Sequence, residues 1–322
     1  MTKDLAVAAQ RLCKRYDDGK EALSGIDFAV KEGEIYGLLG ANGAGKSTAV
    51  QILTTLLLPT AGSAKVFGHD VVRDQQAVRR AIGVALQDTG VDPLLTGFEA
   101  LELQGRLYGV SQGGARQRAR ELSELLQLEE FARRRIANYS GGIRRRLDLA
   151  MGLVHRPRLL FLDEPTTGLD PLSRNAIWDF VRTVRKESGT TVFLTTQYLE
   201  EADSLCDRIA ILRRGVVVAE DTPSRLKRHM RRDVIELEPE DPAQIDELLA
   251  TVRRLHPDAM QEKEAVRAFV SHGADAAREL LDAADRAEIS LSGLRVSPPT
   301  LDDVFLEITR EDDAQHLERG AN

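Results

Sequence analysis

The sequence predicts an α/β domain with a mostly parallel sheet, followed by a small α+β module. Three observations carry this reading. Short, continuous apolar runs alternate with helical patterns along the first part of the chain, as strands covered on both faces require. A glycine-rich stretch stands between one such run and one such helical pattern. The balance of charge then reverses: residues 1–232 hold 35 basic and 29 acidic side chains, whereas residues 233–322 hold 9 and 22. The reversal follows the basic run from Arg225 to Arg232 and marks a boundary. Residues 1–230 are therefore expected to form one domain and residues 231–322 an acidic accessory domain.

The elements follow in order. Ile26 to Val30 reads as a strand, closed by the turn Lys31-Glu32-Gly33. Ile35 to Leu39 reads as a buried strand running into the glycine-rich loop. Ala49, Ile52, Leu53 and Leu56 are spaced i, i+3, i+4, i+7, which predicts a helix with one buried face. Residues 95–155 read as mostly helical. Leu159 to Leu162 and Thr191 to Leu194 read as two more buried strands. Ile209–Leu212 and Val216–Ala219 flank Arg213-Arg214-Gly215 and predict a hairpin. In the tail, strands are expected at Val234–Leu237, Val266–Val270 and Leu291–Val296, and helices at Ile245–Leu255 and Ala274–Ala287. Leu301 to Leu306 reads as a capped amphipathic helix, with Pro298-Pro299 blocking an earlier start.

Composition excludes several classes. At 42% hydrophobic and 30% charged, the 322 residues suit a soluble globular protein rather than a disordered one. No run of about 18 apolar residues is present, so no spanning helix is expected. The amino-terminal residues lack the pattern of a secretory signal. Two cysteines, Cys13 and Cys206, make no disulfide framework and fit a reducing cytoplasm. A net charge of −7 argues against a nucleic-acid binder. The six histidines show no metal-ligand spacing.

Residues 40–48 read GANGAGKST, and Gly40, Gly45, Lys46 and Ser47 satisfy the phosphate-loop pattern. The chemistry explains the residue types. Glycines such as Gly43 let backbone N–H groups close around phosphates, with Asn42 and Thr48 in the same stretch. The loop opens a helix, whose amino end favours anions. Lys46 is placed to reach the β- and γ-phosphates, and Ser47 to ligate Mg²⁺. Further on, the strand Leu159–Leu162 runs into Asp163-Glu164. A carboxylate at that strand end suits Mg²⁺, which assigns Asp163 to the metal and Glu164 to the attacking water.

Between these motifs lies Tyr139-Ser140-Gly141-Gly142-Ile143-Arg144-Arg145-Arg146. With GANGAGKST before it and LLFLDEPTTGLD after it, the set resembles an ABC-type ATPase over about residues 5–230. The runs YSGGIRRRLDLAMGL, LTTQYLEEAD and SPPTLDDVFLEIT are similar to the daunorubicin-resistance class of ATP-binding subunits, a drug-exporter branch. This resemblance implies a P-loop NTPase fold with a helical subdomain. It also implies an ATPase subunit, with ATP and Mg²⁺ as cofactors, that pairs head to tail as a homodimer. Such a subunit drives a separate transmembrane permease from the cytoplasmic face of the cell membrane. The implied cargo is a drug-like or hydrophobic small molecule leaving the cell.

The same resemblance supplies further site residues. Ser140 and Gly142 match the signature positions that touch the γ-phosphate from across the dimer. Gln87 matches the glutamine loop, beside Mg²⁺ or its water. Asp170 matches the loop that crosses the dimer interface. Tyr16 stands where the family stacks an aromatic ring on adenine, although a core tyrosine is the competing reading. Gln197 replaces the family's usual histidine; its amide donates to a phosphate oxygen but carries no proton at neutral pH. Tyr139 and Ile143 also depart from the usual signature. The arginines 144–146 read as a solvated face, opposite the buried positions Ile143, Leu147, Ala150 and Val154.

Two other functions are weighed. A soluble ABC-type ATPase acting on DNA would insert a long coiled coil between Lys46 and Ser140, and one acting on the ribosome usually carries two cassettes. An importer subunit fits the YSGG signature, Gln197 and the tail less well than an exporter does. The tail steadies the dimer, regulates it, or is a stabilising appendage. If it steadies the dimer, removing the residues after about 231 leaves ATP binding intact and weakens dimerisation. Sedimentation of both forms with ATP checks this, and equal dimer affinity counts against it.

Overall fold

The apolar runs lie as strands in a computed structural model that describes residues 5–87, 90–230 and 232–307. Arg231 and the end of the SPPTLDDVFLEIT segment fall outside the described residues. The chain divides into two compact units, Met1–Pro223 and Ser224–Asn322.

The first unit begins with β1 (Leu5–Arg15), β2 (Glu21–Lys31), β3 (Ile35–Leu39) and α1 (Lys46–Leu53). It continues with β4 (Ala61–Val66), β5 (His69–Asp70), α2 (Gln75–Ala81) and β6 (Ile82–Ala85). Three helices follow, α3 (Gly97–Leu107), α4 (Gln112–Leu125) and α5 (Gly141–Leu153). The unit closes with β7 (Leu159–Asp163), α6 (Pro171–Ser188), β8 (Thr191–Thr196), α7 (Leu199–Leu205), β9 (Arg208–Arg213) and β10 (Val216–Asp221).

Six of these strands form one sheet in the order β10-β9-β3-β8-β7-β6. All neighbours are parallel except β10, which pairs antiparallel with β9 as the expected hairpin. Strands β3, β7 and β8 are buried along their whole length, so side chains on both faces are covered. Their carboxyl ends meet at one edge, where Leu39 pairs with Thr196 and Asp163 with Thr195. Ligands of open parallel sheets bind at such an edge.

A second, antiparallel sheet runs β2-β1-β4-β5. Phe28 from this sheet stacks on Tyr36 at 5.8 Å, and Tyr36 stacks on Phe193 at 5.6 Å, so aromatic rings join the two sheets in one core. The sequence reading gave no strand before Ile26. Arg11 explains the omission. Its φ of 45° and the register shift between Ala9 and Leu12 interrupt the period-2 pattern of β1.

The first helix also differs from expectation. It ends at Leu53 rather than continuing to Leu56, which is 59% exposed. The Thr54 hydroxyl turns back onto the Val50 carbonyl at 2.8 Å, and Thr55 takes a φ of 66°, so the helix stops a turn early. The later helices carry their own start signals. Thr96 and Glu99 form a capping box on α3, Ser140 caps α5, and Asp170 with Pro171 starts α6.

α8 (Pro223–His229) stands at the junction of the units. The second unit then contains β11 (Asp233–Pro239), α9 (Ile245–Leu255), β12 (Met260–Glu262), β13 (Ala265–Val270), α10 (Gly273–Arg286) and β14 (Leu291–Ser297). Its antiparallel sheet runs β12-β13-β11-β14. Ile235, Leu237, Val266 and Ala268 on the sheet share a core with Leu248, Val252 and Leu280 on the two helices.

Residues 301–307 are helical. Thr300 and Asp303 cap this segment reciprocally, through Thr300 N–H to the Asp303 carboxylate at 2.7 Å and Asp303 N–H to the Thr300 hydroxyl at 3.3 Å. Asp303 is fully buried and lies 3.1 Å from the Arg267 guanidinium. Arg267 also pairs with Glu262 at 2.6 Å, so Asp303→Ala removes the buried partner and the helix cap without leaving the guanidinium unpaired, and is expected to lower stability by about 2 kcal/mol. Urea unfolding of the full chain checks this, and a loss below about 1 kcal/mol contradicts it.

Candidate functional site

The carboxyl edge of the parallel sheet carries a cleft of about 590 Å³. Its lining includes Tyr16, Asn42, Gly43, Gly45, Lys46, Ser47, Thr48, Gln87, Glu164 and Gln197. These expected residues thus come together from five separate segments of the chain.

Local chemistry shapes the loop first. Gly45 takes a φ of 110° at the start of α1, and a Cβ there would lie 2.3 Å from the Ala22 carbonyl oxygen. A Cβ on Gly40 would lie 2.4 Å from the Leu212 carbonyl oxygen. Only glycine fits either position. Lys46 is 4% exposed, and its Nζ donates to the Gly40 and Ala41 carbonyls at 2.8 and 3.1 Å. The same Nζ lies 3.0 Å from Glu164 Oε1, so the buried ammonium has a buried counter-ion.

The acidic strand end lies against this loop. Ser47 Oγ donates to Asp163 Oδ1 at 3.2 Å, and Thr195 Oγ1 donates to the same oxygen. Asp163 itself is 4% exposed. Glu164 has a φ of 47°, a left-handed backbone that costs a non-glycine residue roughly 1–2 kcal/mol. Its N–H donates to the Thr195 carbonyl and hydroxyl at 3.2 and 3.1 Å, and Thr167 Oγ1 donates to its carboxylate at 3.1 Å. Such strain persists where the surroundings over-determine it. Tyr16 also lines the cleft, its Oη 3.2 Å from Thr48 Oγ1.

Five expected residues do not line this cleft: Gly40 and Asp163, which bond to Lys46 and Ser47 of its wall, and Ser140, Gly142 and Asp170. Ser140 is exposed and caps α5, its hydroxyl accepting from Ile143 N–H at 3.4 Å. Asp170 is exposed and caps α6, accepting from Ser173 N–H at 3.0 Å and Ser173 Oγ at 2.6 Å. Those bonds hold its carboxyl below the usual range. Gly142 adjoins the same Ser173, whose Oγ would lie 2.7 Å from a Cβ on the glycine. Ser140, Gly142 and Asp170 therefore belong to one surface region of their own.

The structure corrects one reading and adds two residues. Arg145, expected on a solvated face, is 6% exposed. Its guanidinium donates to the carbonyls of Leu86, Asp163 and Pro165 and pairs with Asp148. Glu201, on α7, is fully buried and accepts from Thr166 Oγ1 at 2.8 Å and Trp178 Nε1 at 3.0 Å. Burial pushes its carboxyl upward. It pins the segment after Glu164 to the helix after Gln197. A charged residue in a polar run carries no sequence signal of this kind. Tyr139, the departure from the usual signature, is buried and donates to the Phe131 carbonyl at 2.7 Å.

A family model described as ABC transporter matches residues 23–167, and one described as the C-terminal domain of DrrA1-3-like ATP-binding proteins matches residues 222–309. The doxorubicin resistance ATP-binding protein DrrA of Mycobacterium tuberculosis is 45% identical over 99% of this chain and 98% of its own. The chain belongs to the ABC transporter ATP-binding proteins. Daunorubicin resistance ATP-binding protein DrrA3 of Streptomyces coeruleorubidus is 44% identical, over 96% of this chain and 97% of its own. A dimeric ATP-binding cassette solved in a post-hydrolysis state with ADP and Pi is 30% identical, with a TM-score of 0.62 over 67% of this chain and 98% of its own. The α/β cassette expected from the sequence is thus the observed fold, and the chain is an ATPase of this family. No helix among the described residues is long and apolar enough to cross a membrane.

Burial raises the Asp148 carboxyl to about 6, against the opposing pull of Arg145. A carboxyl raised above its unfolded value binds an extra proton in the native state between about pH 4 and 6. Its contribution to stability is present below that window and is lost as pH rises through it, by up to about 3 kcal/mol. Asp148→Asn is expected to remove this segment of the stability–pH curve, which denaturant unfolding from pH 4 to 7 checks.

Proposed function

We propose that the chain is the ATP-hydrolysing subunit of an exporter for a drug-like or hydrophobic small molecule. The observation that carries this is the cleft, where a buried Lys46, a Ser47–Asp163 pair and a cleft-facing Glu164 meet at the sheet's carboxyl edge. The resistance named in both relatives, to doxorubicin and to daunorubicin, supports the choice of cargo.

Residues 1–230 bind and hydrolyse ATP, and residues 231–322 form an accessory domain. The Gly40–Thr48 loop cradles the phosphates with its N–H groups, and Lys46 neutralises their charge. Tyr16 takes the adenine by stacking. The hydroxyl and carboxylate oxygens of Ser47 and Asp163, with the amide oxygen of Gln87, are the hard donors Mg²⁺ prefers. When bound, the ion supplies charge neutralisation at the phosphates.

Glu164 orients the water that attacks the γ-phosphorus and takes its proton as the bond to the leaving ADP oxygen breaks. Gln197 holds a γ-phosphate oxygen by its amide. Ser140 and Gly142 act on the nucleotide of a second copy, with Asp170 crossing the same interface. That assignment accounts for their place outside their own chain's cleft. Two copies close on two ATP and reopen after hydrolysis, working a separate membrane permease from the cytoplasmic face.

Glu164→Gln is expected to bind nucleotide like the parent and to slow hydrolysis at least about 100-fold. Tagged and expressed in its native cell with ATP available, this variant should be recovered in the membrane fraction beside a polytopic protein. Recovery as a free dimer, or on ribosomes or DNA, would sink the exporter reading.

A further inference from the structure

The guanidinium of Arg145 ties together three segments distant in sequence. Its Nη2 donates to the Asp163 carbonyl and its Nε to the Pro165 carbonyl, both at 3.0 Å. These two carbonyls bracket Glu164. Its Nη1 donates to the Leu86 carbonyl, next to Gln87, and lies 3.1 Å from Asp148 Oδ2. The residue itself sits on α5, the helix that Ser140 caps.

The bracket falls where the backbone is strained. With its φ of 47°, the Glu164 peptide needs restraint on both sides. Thr195 fixes the Glu164 N–H from one side. Arg145 fixes the flanking carbonyls from the other. A planar fork with five donors can serve three carbonyls and one carboxylate at once, whereas a lysine is a point charge with three donors. Pairing with Asp148 alone would satisfy a buried charge without the fork. Most of the donors instead meet the backbone beside Glu164 and Gln87.

We infer that Arg145 is a positioning residue for hydrolysis, holding the Glu164 backbone and the approach to Gln87 so that the Glu164 carboxylate faces the cleft. The inference rests on Glu164 being the group that orients water.

Arg145→Lys in the full chain keeps a positive charge beside Asp148 and loses the fork. A fluorescent ATP analogue is expected to bind within about threefold of the parent, while single-turnover hydrolysis slows about 100-fold. Hydrolysis within about threefold of the parent, or a parallel loss of binding and hydrolysis, overturns the inference. Arg145→Gln, which removes the buried charge and keeps an amide donor, serves if Arg145→Lys melts below the assay temperature, with the same split expected.

Two further comparisons separate positioning from plain stability. In a Glu164→Gln background, Arg145→Lys should add little to the loss already present, because both act through one group. A second full loss contradicts this. Asp148→Asn keeps the three carbonyl bonds and should hydrolyse within about threefold of the parent. A loss as large as that of Arg145→Lys would assign the effect to the ion pair and overturn the inference. If Glu164→Gln alone hydrolyses normally, the reading of Glu164 fails, and that result is visible whatever Arg145 does.

Discussion

A lysine ammonium and a glutamate carboxylate, both buried and 3.0 Å apart, set the terms for the whole carboxyl edge of the parallel sheet. Two charges out of water are tolerated only when their remaining hydrogen-bonding capacity is met. The Gly40 and Ala41 carbonyls meet that of Lys46, and Thr167 meets part of that of Glu164. The loop curls so that two of its carbonyls face the ammonium, and it packs so closely on Ala22 and Leu212 that Gly45 and Gly40 admit no Cβ. The chain turns sharply where β7 ends at Asp163, and the next residue, Glu164, is left-handed in a buried place. Loop and strand end meet in one charge pair held at one edge.

The strain at Glu164 connects this pair to the helical part of the unit. Thr195 on β8 and Arg145 on α5 both bond to the same short stretch of backbone. Glu201 on α7 holds Thr166, two residues beyond Glu164. The segment from Asp163 to Thr167 is thus tied to a strand and to two helices whose own amino ends carry, or closely follow, other site residues. A buried polar network of this kind is costly if half satisfied and rigid when complete.

Much of this was legible in the residues. The apolar runs gave the buried strands because a sheet covered on both faces admits little else at those positions. Most of the tail's elements matched as well, since each satisfies its own local period, but the three residues of β12 are too few to show one. The failures also have local causes. Arg11 breaks the alternation of β1, and Thr54 and Thr55 end α1 before Leu56 reaches the core. The departure of Tyr139 from the usual signature is absorbed by a bond to the Phe131 carbonyl, well away from the cleft.

The sequence by itself determined the glycine-rich loop, the Asp163-Glu164 strand end, their order along the chain and the family. Those features are written in neighbouring residues, where glycine's freedom, a strand's length and a helix cap are decided within a few positions. Only the tertiary structure decided that Arg145 is buried, that Glu201 anchors the segment after Glu164, and that Ser140, Gly142 and Asp170 lie outside their own cleft. Each of those outcomes depends on partners far away in sequence. A charged side chain looks the same in a list of residues whether water or three backbone carbonyls await it.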